Sequence, residues 1–129
     1  MSKYIEYKNF YIYTSLAIIS FSLNFYIASN GVYPVDTFIH YDNGYRILLG
    51  DNPVKDYWIV HGFIIDYLQA FFFKIFGNSW YSYLVHSSIF NSVITLATFF
   101  TFRLLKIDIL LSCFFSISFA FVTSGSLLL

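Results

Sequence analysis

The stretch Tyr41–Phe63, YDNGYRILLGDNPVKDYWIVHGF, gathers Asp42, Arg46, Asp51, Lys55, Asp56 and His61 within a few turns of chain. The surrounding sequence is of the opposite character. Of 129 residues, 58% are hydrophobic and only 11% are charged, with a mean hydropathy of +0.67. An ordinary soluble domain carries about a quarter charged residues. Aromatic residues make up 24% of the chain, including 17 Phe and 12 Tyr. Such a composition predicts an all-helical, multi-pass integral membrane protein. The charged stretch is then the part that faces away from lipid. The formal net charge is zero, which offers no electrostatic footprint for nucleic acid.

Crossing the hydrocarbon core takes about 20 apolar residues in a helix, and three charge-free runs reach that length. They are NFYIYTSLAIISFSLNFYIAS (9–29), the run within NSWYSYLVHSSIFNSVITLATFFTF (spanning about 79–102), and ILLSCFFSISFAFVTSGSLLL (about 108–128 with its lead-in). The Ser, Thr and Asn inside them are tolerable in lipid, because they can bond backbone carbonyls or neighbouring helices. The first run is too long for a signal-peptide core and lacks a small-x-small cleavage pattern, so it reads as an uncleaved anchor. Lys3 and Lys8 precede the first span, and Arg103 and Lys106 lie between the second and third. Basic residues stay on the cytoplasmic side, which predicts a cytoplasmic N-terminus and an exoplasmic segment over about 30–78. That segment carries Asp36, Asp42, Asp51, Asp56 and Asp66 against Arg46, Lys55 and Lys74. Cys113 lies in an apolar run and reads as a small packing residue. The chain ends on the still apolar SGSLLL, and three spans leave few helices for so long a loop. Both points predict the N-terminal portion of a longer membrane protein.

A loop of nearly fifty residues is far longer than most connections and is expected to carry function. Within it, HYDNGYRILLGDNP reads as a short helix. Asp42 or Asn43 would cap it, Gly50 would take the left-handed position after its end, and Pro53 would follow as a stop. A tight turn at Asp42–Gly44 is the alternative. IVHGFIIDYLQAFFFKIFG reads as a second helix with a narrow stripe of Gly62, Asp66, Ala70 and Lys74, and Gln69 beside it. Charges within it disfavour a lipid-exposed span. It should lie in the interface, or pack on the spans with its stripe toward a cavity.

These same residues resemble the first exoplasmic loop of the GT-C superfamily of membrane glycosyltransferases, above all its Rgt-like and protein-mannosyltransferase-like bacterial members. The family commonly shows an acidic pair before Gly and an aromatic, then GxxPYxDxW, HGPL and an aromatic-rich helix ending in LFG. The counterparts are Asp42-Asn43-Gly44-Tyr45, Gly50, PVKDYW (53–58), His61-Gly62 and KIFG (74–77). The resemblance covers about a third of the chain, and the neighbouring spans agree in order. It implies transfer of a sugar from a polyprenyl-phosphate or dolichyl-phosphate donor to an exoplasmic acceptor (lipid, glycan or protein), with inversion. It also implies a bacterial inner-membrane location and an aspartate of this loop as general base. An acceptor hydroxyl must lose its proton as it attacks, and a nearby carboxylate can take it. The phosphate leaving group needs cationic stabilisation. Asn43 replaces the second acid of the pair, Val54 the aromatic after Pro53, and Phe63-Ile64 the Pro-Leu after Gly62. The first of these changes leaves Asp42 as the carboxylate of the pair and opens Asp36 as a rival base.

The candidate catalytic residues are therefore Asp42 and Asp36, and the candidate substrate-binding residues Arg46, Lys55, Asp56 and His61. Each also has a plainer reading. Asp42 could cap a helix, Asp36 could be a solvated loop acid, and Asp56 could organise the loop. His61 could be structural, and Arg46 and Lys55 could pair with lipid headgroups. Asp66 is left open as a residue facing a cavity, and His86 reads as a packing or interhelical hydrogen-bonding residue. No metal-ligand spacing and no nucleotide-binding glycine loop is present, so no cofactor is expected, although some GT-C members use a divalent ion. The non-enzymatic alternative is a small multi-pass subunit or transporter fragment whose exoplasmic cap mediates assembly.

Overall fold

The structure, a computed structural model, describes residues 2–31, 36–59 and 62–125, with side chains over 10–31, 37–59 and 62–124. Among the described residues there are five helices and no strand: α1 (Ser2–Ser29), α2 (Asp36–Leu49), α3 (Ile64–Phe76), α4 (Trp80–Leu104) and α5 (Ile109–Gly125). Helices α1, α4 and α5 pack against one another, and α2 and α3 form a pair that meets the bundle through α4.

Interhelical bonds fix the direction of each bundle helix. Ser20 Oγ lies 2.8 Å from Thr95 Oγ1, and Asn24 Nδ2 donates to Ser87 and Ser88 Oγ at 3.1 Å each. Tyr13 meets Phe99 edge-on toward the other end. Between α4 and α5, Asn91 Nδ2 donates to Ser124 Oγ at 2.9 Å, and Thr123 Oγ1 donates to Asn91 Oδ1 at 2.7 Å. Each neighbour therefore runs antiparallel to α4. The α4–α5 turn sits at the end where α1 begins, and the α2–α3 cap sits at the other. Ser79 caps α4 by accepting from Ser82 N, and Asp108 Oδ1 accepts from Leu110 N at the start of α5.

The bundle is turned inside out relative to a soluble one. Ser20, Asn24, Ser88, Asn91, Thr95, Ser112, Ser116 and Ser124 are buried, while Phe10, Ile18, Val93, Leu110, Phe114 and Phe121 point outward and are exposed. Water-soluble folds bury such side chains preferentially. Small polar residues inside and large apolar ones outside is the distribution a hydrocarbon surround favours, since lipid offers hydroxyls no partners. Two helices are long and apolar enough to cross a membrane, Phe10–Ser29 and Trp80–Leu104, in the places expected for the first two spans. The third expected span corresponds to α5, a shorter apolar helix; residues 126–129 of that run lie outside the described residues.

The cap departs from expectation in a telling way. Neither a helix N-cap at Asp42 or Asn43 nor a turn at Asp42–Gly44 is formed. Helix α2 begins at Asp36, and these residues lie in its middle. Asn and Gly are weak helix formers, so the reason lies in what they touch. A Cβ at Gly44 would sit 2.6 Å from Gln69 Cγ and 3.3 Å from the backbone nitrogen of Ala70. Only glycine lets α3 come this close. Asn43 next to it is buried and bonded across to α3. Tertiary packing thus overrides local propensity. The C-terminal punctuation does form: Gly50 has φ +100°, Gly50 N donates to Ile47 O and Asp51 N to Arg46 O.

The stripe on α3 also needs correction. Its buried residues are Asp66, Gln69, Ala70 and Phe73, whereas Gly62 and Lys74 are exposed. Steps of four residues drift by about 40° each around a 3.6-residue helix, so 62, 66, 70 and 74 cannot share one narrow face. The 66–69–70–73 pattern can.

Candidate functional site

Two polar centres lie in the cap, one on its outer surface and one between its helices. The outer centre is a shallow groove of about 520 Å³ lined by Phe38, Ile39, Asp42, Asn43, Arg46, Tyr57 and Trp58. Asp42 and Arg46 are one helical turn apart on α2, and Arg46 Nε donates to Asp42 Oδ2 at 2.8 Å. That bond is the chief reason the guanidinium pKa is raised above its ordinary value. The guanidinium carbon also lies 5.6 Å from the Tyr57 ring centroid, within cation–π range. Trp58, next in sequence, is 83% exposed. A carboxylate, a cation and a bare indole therefore share one open groove.

A tight turn over residues 52–57 brings Tyr57 and Trp58 to this groove. Asp56 Oδ2 accepts from Asn52 N at 2.8 Å, Val54 adopts φ +74°, and Val54 N donates to Tyr57 O. The Asn52 backbone N–H holds the Asp56 carboxyl below its ordinary pKa. Asp56 thus organises the turn, and Lys55 projects from it, exposed. Neither lines the groove.

The inner centre is built around Asp66, whose side chain is fully buried. Asn43 Nδ2 donates to Asp66 Oδ2 at 3.2 Å, and Tyr57 Oη approaches the same oxygen at 3.5 Å, the outer limit of a hydrogen bond. His40 Nδ1 is 3.7 Å from Oδ1. Burial, and next the neighbouring Asp66 charge, push the Tyr57 phenol up to about 12. One turn along α3, Gln69 Oε1 lies 2.5 Å from His86 Nδ1 on α4. The His86 ring is stacked on Phe72 and meets Phe90 edge-on. Beside this pair a cleft of about 330 Å³ runs under the cap and along α4 as far as Ile94.

Of the residues singled out from sequence, Asp42 and Arg46 are brought together. Asp36 opens the same helix, about 9 Å along the axis and about two-thirds of a turn around it from Asp42; its side chain is outside the described residues. His61 also lies outside them. The expected interhelical role of His86 is visible in its bond to Gln69. The cavity-facing role left open for Asp66 resolves into a contact between α2 and α3, with no pairing to Lys74. His40, Tyr57, Trp58 and Gln69 were not singled out as site residues. The signal for two of them was present as helical spacing, His40 with Asn43 and Gly44 on α2, and Gln69 with Asp66 and Ala70 on α3. Among the described residues no three His, Cys, Asp or Glu side chains gather as a metal site would require.

Compared with known protein families, curated proteins and solved structures, the chain matches none of them.

Proposed function

We propose that the chain is part of an inverting membrane glycosyltransferase of the GT-C type. It would transfer a sugar from a polyprenyl-phosphate donor to a hydroxyl of a glycan, lipid or protein at the outer face of a bacterial inner membrane. The observation that carries the reading is the open groove holding Asp42, Arg46, Tyr57 and Trp58; the sequence resemblance over 42–77, whose motifs include three of these four residues, agrees with it.

On this reading α1, α4 and α5 cross the bilayer and the cap lies on its outer surface. The α4–α5 turn with Arg103 and Lys106 shares an end with the start of α1, where Lys3 and Lys8 stand in the sequence, and that basic end faces the cytoplasm. Helix α5 spans about 26 Å over its described residues, close to the thickness of the hydrocarbon core.

The chemistry follows from the groove. The acceptor O–H gives its proton to the Asp42 carboxylate as its oxygen attacks the anomeric carbon. The carbon–oxygen bond to phosphate breaks on the opposite face, and the polyprenyl phosphate leaves with the electron pair. Arg46 orients the carboxylate through Oδ2 and supplies positive charge near the departing phosphate. Trp58 offers a flat apolar surface to the C–H face of a sugar ring.

A piece of this length should not transfer sugar by itself, so the test is a transfer assay in membranes containing the full-length protein of which the chain is part, supplied with radiolabelled undecaprenyl-phosphate hexoses. Asp42→Asn should lower transfer by about 10²–10⁴-fold while insertion and thermal unfolding stay unchanged. Undiminished transfer in both Asp42→Asn and Asp36→Asn would overturn the proposal.

A further inference from the structure

We propose that the cleft beneath the cap binds an uncharged amphiphile, with a hydroxyl or carbonyl head against Gln69 and an aliphatic tail along α4. This inference does not depend on glycosyl transfer, and it concerns a different place from the Asp42 groove.

Three observations carry it. The first is an unanswered donor. Gln69 is fully buried and lines the cleft; its Oε1 is engaged by His86, while Nε2 has no hydrogen-bond partner among the described residues. A buried amide N–H left unpaired is costly, and native folds seldom leave one without a protein or ligand acceptor. An accepting oxygen in the cleft would meet it. The neighbouring Asn24 and Asn91 amides and the Ser87 hydroxyl add polar surface to the same wall.

The second observation is the chemistry of the lining. Among the described residues no Asp, Glu, Lys or Arg contributes to it, and its titratable side chains are His40, Tyr83 and His86. A phosphate or carboxylate head would surrender its hydration with no fixed cation in return. An uncharged head needs only the hydrogen bonds that amides and hydroxyls provide. The lipid-phosphate donor of the proposed reaction is thus a poor fit here, and an uncharged lipid a good one.

The third is the shape. Ile65, Phe90 and Ile94 line the cleft and are also exposed on the outer surface of the molecule. The cleft therefore has a polar back and an apolar side opening, on the face that lipid would cover. From His86 to Ile94 it follows α4 for about 12 Å. Its volume of about 330 Å³ lies at the lower end of small-molecule sites, about 300–1,000 Å³. A head and the first part of a chain would be enclosed, with the rest of the chain emerging sideways.

The experiment uses the 129-residue chain reconstituted in phosphatidylcholine vesicles. Two photoactivatable probes of equal chain length are compared, a diazirine monoacylglycerol and a diazirine lysophosphatidate, and labelled residues are mapped by mass spectrometry. The monoacylglycerol probe should label the Phe90–Ile94 segment and be displaced by unlabelled monoolein. Gln69→Leu should cut that labelling by about tenfold, the loss expected for one hydrogen bond to a buried head. Ile94→Trp, which blocks the side opening and leaves Gln69 intact, should cut it likewise and decides the matter if Gln69→Leu unfolds the cap. Equal labelling by the anionic probe, labelling spread evenly over the outer face, or indifference to Ile94→Trp would each overturn the proposal.

Discussion

Asp42 and Asp66 are both carboxylates of the cap, and their side chains are 58% and 0% exposed. Asp42 has a charged partner on its own helix, one turn away. Asp66 is met by His40 and Asn43 from α2 and by Tyr57 from the turn before α3. One carboxylate is presented to whatever enters the groove; the other joins three segments of chain. A side chain with one local, solvated partner can change without disturbing the fold, and so is available for chemistry. A side chain whose partners come from several segments is part of the framework that holds the first in place. Tyr57 belongs to both, under the Arg46 guanidinium and against the Asp66 carboxylate.

The harshest way to break this division is to push the two cap helices apart. Gly44→Val would force side-chain carbon into Gln69 and the Ala70 backbone, a cost of about 1–3 kcal/mol or more. Amide hydrogen exchange should speed up across α2 and α3 while α4 and α5 keep their protection. Unchanged exchange in α2 would mean the close approach at Gly44 is not what holds the pair together.

Removing each carboxylate in turn tests the contrast directly. Asp66→Ala leaves the Asn43 amide and the Tyr57 hydroxyl without their acceptor in a buried site, and should cost about 1–3 kcal/mol of stability. Asp42→Ala breaks an exposed ion pair within one helix, for which about 0–1 kcal/mol is usual. Thermal unfolding of the two variants side by side is the measurement. A larger loss from Asp42→Ala would reverse the assignment of framework and groove.

The smallest effect concerns Tyr57 and sharpens the link between the two centres. Its phenol is raised from an ordinary 10.0 to about 12 in the fold, by burial first and then by Asp66. The unfolded chain therefore releases this proton before the folded one does. The stabilisation is complete below pH 10 and is lost as pH rises toward 12. The difference in phenolate absorbance between the wild-type chain and Tyr57→Phe should show this late titration. Asp66→Asn should move it toward, but not fully to, the ordinary value. No movement would mean that Asp66 does not act on Tyr57.

The long helices were legible because a charge-free apolar run of this length has few other uses, and α1 and α4 occupy such runs. The end of α2 was legible as well, since Gly50 followed by Pro53 is a local signal that needs no partner. Its beginning was not. Asp-Asn-Gly reads locally as a cap or a turn, and what makes it helical is the backbone of α3 pressed against Gly44, some 25 residues further along the chain. The groove was half legible for the same reason. Asp42 and Arg46 are one turn apart in sequence, but Tyr57 and Trp58 reach them only through the turn that Asp56 ties. The inner centre was least legible, because every partner of Asp66 and Gln69 lies on another segment.

The hydroxyls inside the bundle carry one more consequence. Ser92, Thr95, Ser116 and Ser124 each reach the carbonyl four residues back on their own helix, and Ser112 reaches that of Asp108 just before α5. Such groups keep a partner on their own segment, and Thr95 and Ser92 add a second one across the interface, on Ser20 and on the Ala17 carbonyl. Asn24 and Asn91 differ, since their amides find their partners across the interface, on Ser87 and Ser88 in one case and on Ser124 in the other. A shift of one turn would strand both in an apolar surround. These two asparagines act as pins that hold the bundle in one register, and the Ser20–Thr95 and Ser92–Ala17 bonds along the α1–α4 seam agree with it.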